Sequence, residues 1–366
     1  MILLHKVKDA LHLRTSRYLS KATLVEGVMK DGSCNQFRFL FIGDSSLVNY
    51  FSDRTFTQGK IESKRRFLRI SSVNKFIAKY SEQLDICFAV IPKEYDGDFK
   101  ELNHYKCDVR VGQKISLAGN IEDIKKRFHK TKRQIFNSIL SKSNMTYRIS
   151  RDLKDFDYFY HEMFLPHISK KYGDLLIEPY EDMKGYFLKG FILLVQYEGQ
   201  IVSGALCIVQ DKSLVFRRTG VLHGDKKYIQ LGAQNALYLF LIMHAKKMGL
   251  DSLDTMKTVS VLNDSVFIAK REWGAEVYPD DESRHWVYMI FPKVTENIAR
   301  FFEMNPLMVH TEDGLCGLIG VNGDTHIVNE SRKELIKKYH SPGIDRLLVL
   351  TLDSEKAITI PCSGCG

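Results

Sequence analysis

The sequence predicts an α/β protein of the α+β kind, with mixed, mostly antiparallel sheets flanked by helices. Three observations carry that expectation. The strand-like runs Ile192–Tyr197, Ile201–Val209 and Leu214–Thr219 are joined by the short polar turns Glu198-Gly199-Gln200 and Asp211-Lys212-Ser213, the pattern of antiparallel hairpins. After Gly232, the sixteen residues Ala233–Met248 contain no Pro or Gly and lead to Gly249, enough for a helix of several turns. Leu253-Asp254 follows as a strand end, Asn263–Glu272 as a second helix, and Trp273-Gly274-Ala275 opens a last strand reaching Val277. The stretch from Phe191 to Val277 therefore organises the chain.

Composition sets the outer limits. At 366 residues the chain has room for two compact domains and a small third piece. A hydrophobic content of 44% supports a packed core and excludes general disorder. The formal charge of +9, with a pI near 9.0, favours anionic partners: a nucleotide-bearing cofactor, tRNA, a phosphorylated acceptor or a membrane surface. Seven scattered Cys form no dense framework, which predicts reduced thiols and a cytoplasmic setting. Met1-Ile2-Leu3-Leu4 is followed by His5, Lys6 and Lys8 and does not read as a secretory signal. The apolar run around Leu237–Met243 is too short to span a bilayer.

Taken in order, Phe37–Ile42 reads as a strand ended by Gly43-Asp44-Ser45, with Leu47–Phe51 and Val73–Tyr80 as helical pieces. Asp85–Ile91 reads as a buried strand stopped by Pro92. No phosphate-loop pattern GxxxxGK[ST] occurs. Between Asp123 and Lys154 lie ten Lys/Arg against two acids, and Ile121, Ile124, Phe128, Ile135, Phe136 and Ile139 recur at helical spacing. This reads as one amphipathic helix with a basic face, either simply solvated or a cradle for phosphates, with Lys132 and Arg133 as candidate contacts. The following stretch to Gly173 is rich in aromatics, most of them core by type, and carries His161 and His167 as candidate acceptor-site residues. Beyond Pro292 come a helix at Val294–Met304, a strand at Leu315–Val321, a short helix at Ser331–Tyr339 and a strand at Arg346–Leu352, together a small β/α appendage. The closing pair Cys362 and Cys365 has no second pair or His nearby, so a mobile tail is expected and no metal.

Several words of the organising stretch carry a family resemblance: Tyr197-Glu198-Gly199-Gln200-Ile201-Val202-Ser203-Gly204-Ala205, Ala245–Gly249, Asn263-Asp264-Ser265-Val266 and Lys270-Arg271-Glu272-Trp273-Gly274-Ala275. In order and spacing they resemble the GNAT acyltransferase superfamily, in its FemAB-like and BioF2-like branch. The resemblance implies tandem GNAT-like units: a degenerate one over residues 1–150 ending in the basic helix, and an acyltransferase unit over 151–292. Residues 293–366 remain the appendage and tail. It implies an N-acyltransferase moving an acyl group from an acyl thioester, acyl-CoA, to the amine of a small molecule or peptide. Two alternatives stand beside it: an aminoacyl-tRNA-dependent transferase of the FemAB type, and a non-catalytic GNAT-like binding module.

Acyl transfer to an amine needs a carbonyl placed against a neutral amine, a donor for the oxyanion, and a route for a proton. In GNAT-like folds, parted strands leave backbone N–H groups free, and the CoA diphosphate sits at the start of the long helix. Here the resemblance puts that start at Lys227, Gln230, Gly232, Ala233, Gln234 and Asn235. The superfamily pattern Gln/Arg-x-x-Gly-x-Gly/Ala is matched incompletely, with Ala233 for the first Gly and Asn235 for the second small residue. Lys270 and Asn263 fall where the family places a donor-contacting Lys and a polar loop. From the residues themselves, Asp254 at a strand end and His223 before the helix are proton-carrier candidates, and Arg217 and Arg218 candidates to face an anionic substrate.

Overall fold

A computed structural model gives the architecture and describes residues 20–43, 47–68, 73, 75, 77, 83–95, 104–173, 177–353 and 357–362. In chain order come β1 (Ser20–Met29), β2 (Gln36–Ile42), α1 (Leu47–Thr55), β3 (Phe56–Leu68), β4 (Ile86–Pro92), β5 (His104–Cys107) and β6 (Arg110–Ser116). Next are α2 (Ile121–Lys126), α3 (Lys130–Lys142), β7 (Met145–Ser150), α4 (Leu153–Tyr158), a π-helical segment (Phe159–Phe164), α5 (Leu165–Tyr172) and α6 (Tyr180–Phe187). Then follow β8 (Gly190–Tyr197), β9 (Gln200–Gln210), β10 (Ser213–Val221), a 3₁₀ turn (Leu222–Gly224), α7 (Lys226–Gln230), α8 (Ala233–Lys247) and β11 (Ser252–Val259). The rest are α9 (Ser265–Glu272), β12 (Glu276–Tyr278), β13 (His285–Ile290), α10 (Glu296–Met304), β14 (Leu307–Thr311), β15 (Gly314–Gly320), α11 (Thr325–Tyr339), β16 (Arg346–Leu350) and β17 (Ile358–Pro361). The class is as expected: two mixed, mostly antiparallel sheets flanked by helices.

The chain divides into two compact units, neither continuous in sequence. One takes Met1–Val111, Val259–Phe267 and Pro279–Gly366; the other takes Gly112–Thr258 and Ile268–Tyr278. These units run across the boundaries expected at residues 150 and 292, because strand pairing is non-local. β12 pairs antiparallel with β6, Glu276 opposite Lys114, while β13 lies between β4 and β5.

In the first unit the described strands form one sheet in the order β17-β16-β15-β14-β5-β13-β4-β2-β1-β3. The expected appendage is thus corrected: β14 joins β5 through His310 opposite Lys106, so β14 to β17 continue the sheet. Phe37, Phe39, Phe51, Phe88 and Phe301 pack on one another in its core, with Phe37 and Phe301 stacked at 5.2 Å. Asp108 is fully buried and is compensated by Lys93 at 3.2 Å and His310 at 2.7 Å, as a buried carboxylate requires. The helix expected at 331–339 starts at Thr325, where the Asp324 side chain accepts the Ile327 N–H. Of the helix expected over 73–80, Val73, Lys75 and Ile77 are helical and the rest lies outside the described residues. Cys362 is buried, and its N–H donates to Asp345 O at 2.8 Å, so the chain is still packed there; residues 363–366, with Cys365, lie outside the described residues.

The second unit holds the sheet β12-β6-β11-β10-β9-β8-β7. Its hairpins follow the expected registers. The β8–β9 turn places Glu198 and Gly199 at φ +50° and +79°, the left-handed pair that matches strand twist. The single amphipathic helix expected across 123–154 is instead two helices and a strand. α2 closes at Arg127, the His129 ring caps α3, and Met145–Ser150 extends as β7 against β8. Buried Phe128 lies between the two helices, its ring 5.1 Å from Trp273.

Helices cover both faces of this sheet. On one face lies α8, with Phe240 stacked on Tyr147 and Tyr238 edge-on to Phe216. On the other lie α4, the π segment, α5 and α6. Two glycines allow that approach: Gly204 faces the Phe159 ring, and Gly220 faces the backbone of Met163 and Phe164. A Cβ on residue 220 would stand 2.6 Å from Met163 C and Phe164 N, with no flexible side chain to move aside. Gly220→Ala is therefore expected to cost about 1–3 kcal/mol by overpacking. Urea denaturation of the two proteins measures it, and an unchanged midpoint would contradict this packing.

Candidate functional site

The central irregularity of the second unit is the parting of β10 and β11. They run parallel and pair at Ser213–Ser252, Leu214–Leu253 and Val215–Asp254, with no later register among the described residues. Yet β10 continues to Val221 and β11 to Val259. Asp254 is thus the last residue of β11 to face β10 and is not the strand end expected from sequence. Both strands are irregular just beyond this point. β10 bulges between Phe216 and Arg218, and Met256 in β11 has a left-handed backbone, φ +64°.

Three side chains hold Met256 in that conformation, which costs a non-glycine residue about 1–3 kcal/mol. Asp254 Oδ1 accepts the Met256 N–H at 2.7 Å, and Lys270 Nζ donates to Met256 O at 2.9 Å. The Tyr278 hydroxyl donates to Asp254 Oδ2 at 2.7 Å. The ring of Tyr278 lies against Gly112, where a Cβ would overlap it. Asp254 and Lys270, the proton-carrier and donor-contact candidates, are therefore brought together as supports of one peptide unit. Lys270 is buried, 5% exposed.

The helix start is the second feature. Asp225 caps α7 by accepting the Lys227 N–H at 2.9 Å, and α7 ends at Gln230. Gly232 then takes φ +92°, and α8 begins at buried Ala233 without a side-chain cap. Space around Gly232 is open. The N–H groups of the first turn and the helix dipole make such a start favourable to an anion.

Two candidate substrate contacts turn out to buttress this start. Lys132 Nζ donates to Asn235 Oδ1 at 2.9 Å and lies 3.6 Å from a Glu272 carboxylate oxygen, above the Trp273 ring. His167 is buried, 4% exposed, with Nε2 3.3 Å from the Gln234 amide nitrogen. Burial lowers the His167 pKa to about 4, so the ring is neutral near pH 7 and accepts from the amide. Gln230, Gly232, Ala233, Gln234, Asn235, Lys132 and His167 thus belong to one neighbourhood.

The remaining candidates are placed differently. Lys227 is exposed, 3.5 Å from Asp225 and above the Tyr228 ring, and contact with that hydroxyl raises its pKa. His223 is largely exposed, with a left-handed backbone and Nδ1 3.3 Å from Glu162. Arg133 is exposed and donates to Lys126 O at 3.4 Å. Asn263 belongs to the first unit, accepting from Arg54 and donating to Met304 O at 3.0 Å. Arg217 and Arg218 both turn to Glu178, at 3.9 and 2.6 Å. Sequence reasoning missed Met256, Tyr278, Glu178 and Glu272. Only Glu272 carried a local signal, its place in the same helical run as Lys270.

No protein-family profile matches the chain, and no curated protein sequence matches it. Among solved structures it is similar to FemX, at 10% identity and a TM-score of 0.41, over 75% of this chain and 89% of that one. It is also similar to L-PGS from Bacillus licheniformis, at 12% identity and a TM-score of 0.37, over 74% and 84%. A GCN5-related N-acetyltransferase from Sphaerobacter thermophilus matches at 8% identity and a TM-score of 0.31, over 69% and 71%. The GNAT-like order of the second unit is read from its own elements: three antiparallel strands, the helix α8, and β11 returning parallel to β10.

Neutral, buried His167 gives the helix start a pH dependence. The unfolded chain protonates this residue near its ordinary pKa of 6.5, the folded chain only near 4. Stability is therefore lost as pH falls through that window, by at most about 1.4 kcal/mol per pH unit from this group. His167→Gln is expected to lose less stability than the parent between pH 6.5 and 4.5. Parallel urea titrations at both pH values measure the difference, and equal losses would exclude the assignment.

Proposed function

We propose that the second unit is an N-acyltransferase that takes its acyl group from an acyl-CoA thioester and delivers it to an amine. The observation that carries this reading is the parting of β10 and β11 after Val215 and Asp254. Beyond it, edge N–H and C=O groups of β10 have no β11 partner, and such groups bind an extended amide-bearing arm as an added strand would. They also supply donors for the oxyanion of a polarised thioester carbonyl. The uncapped start of α8 is suited to the diphosphate end of the same molecule. Asp254, hydrogen-bonded to Tyr278, is the proton-accepting group next to the parted strands in this reading. Lys270 acts through Met256 as a positioning residue. His223 is exposed and paired with Glu162, and it is not needed in this scheme.

A second reading has its own observation. Lys126 at the end of α2, Arg127 just after it, and Lys130 and Arg133 on α3 are exposed, a cationic surface that suits an aminoacyl-tRNA donor. Filter binding of tRNA across salt concentrations separates the two, and a flat salt response removes the tRNA reading.

CoA and acetyl-CoA are expected to raise the melting temperature saturably, by an increment equivalent to about 2.7 kcal/mol at a hundredfold excess over Kd. Asn235→Asp places a carboxylate in the first turn of α8 beside Lys132. That change is expected to leave the unliganded protein at least as stable and to weaken CoA binding about tenfold or more through repulsion of the diphosphate. No shift with CoA or any acyl-CoA would sink the donor assignment.

A further inference from the structure

The bulge in β10 has a side-chain consequence. In a regular strand, neighbouring residues face opposite sides of the sheet. Here Phe216 turns to α8, its ring 5.4 Å from Tyr238, and Arg217 and Arg218 both turn to Glu178 on the opposite face. The extra residue between Phe216 and Arg218 is what lets two consecutive arginines share one carboxylate.

We propose that Arg217 and Arg218 form an anion subsite that holds a carboxylate or phosphate group of the acyl acceptor. This rests on the acyl-transfer reading of the second unit. Its first support is charge. Two guanidinium groups meet a single carboxylate in a half-buried place, with side-chain exposures of 19% and 32% for the arginines and 15% for Glu178. Among the described residues, the two arginines share this one carboxylate as their ion-pair partner. Burial lowers the Arg218 pKa. The second support is an unused donor. Arg217 Nε is buried and has no hydrogen-bond partner among the described residues. The third is rigidity. The Arg217 guanidinium stacks on the Tyr186 ring at 3.8 Å, and Tyr160 Oη donates to Glu178 O at 3.0 Å. A fixed planar fork is suited to bidentate recognition of an oxyanion.

Position assigns the anion to the acceptor. The start of α8, held by Lys132 and His167, is the place for the donor's diphosphate in this reading and is distinct from the arginines. The arginines lie on the face covered by the π segment and α6, directly beyond the last residue of β10 that pairs with β11. A π segment packed against a strand at this point fits a functional face, since such segments often mark one.

The test is titration of the full chain with acetate and, separately, inorganic phosphate, followed by calorimetry. At least one anion is expected to bind. Arg217→Gln is expected to weaken it about tenfold. Glu178→Gln, which frees both guanidinium groups, is expected to strengthen it several-fold. Failure of both anions to bind, or weaker binding by Glu178→Gln, overturns the subsite. The second arm uses acetyl-CoA with paired acceptors, glycine against glycinamide and phosphoethanolamine against ethanolamine, read by thiol release. A preference for the anionic member of one pair identifies carboxylate or phosphate. Equal rates within both pairs overturn the subsite and leave acyl transfer standing. Anion binding with the expected response to both variants, but no thiol release from any acyl-CoA, sustains the subsite and sinks the acyl-transfer reading.

Discussion

The second unit depends on one local event, the loss of pairing between β10 and β11 after three residues. A parallel ladder that ends early leaves backbone polar groups to be satisfied in another way, and the structure commits several side chains to keep it so. Lys270 and Asp254 hold the two ends of the Met256 peptide region, and Tyr278 holds Asp254. Two residues along α9 from Lys270, Glu272 meets Lys132, which holds Asn235 in the first turn of α8. One short helix therefore links the opened strand edge to the helix start.

The faces of this sheet are chemically distinct. On the α8 side, aromatic and aliphatic packing dominates, with Phe216, Tyr238 and Trp273 in sequence and the Tyr238 and Trp273 rings parallel at 5.7 Å. On the other side, β10 carries charge under a cover of tyrosines. The bulge creates that contrast without a change of residue type, by inserting one position into the alternation. In the first unit the buried carboxylate of Asp108 instead meets Lys93 and His310, one at each side-chain oxygen.

What the sequence made legible follows from distance along the chain. The hairpins β8–β9 and β9–β10 were readable because turn chemistry and alternation are local. The long helix was readable from its freedom from Gly and Pro, and the glycine at 232 does mark its start. The basic window misled because helical spacing persists across a break. Nothing in the periodicity of Ile121 to Ile139 announces that Arg127–His129 interrupts it or that Tyr147 and Ile149 belong to a strand. Lys132 and His167 were singled out as candidates by residue type, whereas their places as buttresses depend on contacts with α8 about a hundred and about seventy residues away. Met256 was invisible, since a left-handed backbone in a methionine is set by its neighbours and not by its own preference. The appendage was misjudged because β14 meets β5, a partner from the first third of the chain.

The interleaving of the two units has a genetic consequence. The chain passes between them at 111/112, 258/259, 267/268 and 278/279. A gene segment that encodes the whole second unit, residues 112–278, carries nine residues of the first unit with it. The nine residues Val259–Phe267 and the eleven residues Ile268–Tyr278 are exchanged between partners that lie far apart in the gene. A rearrangement that moved residues 112–278 would therefore leave the first unit to close without Val259–Phe267.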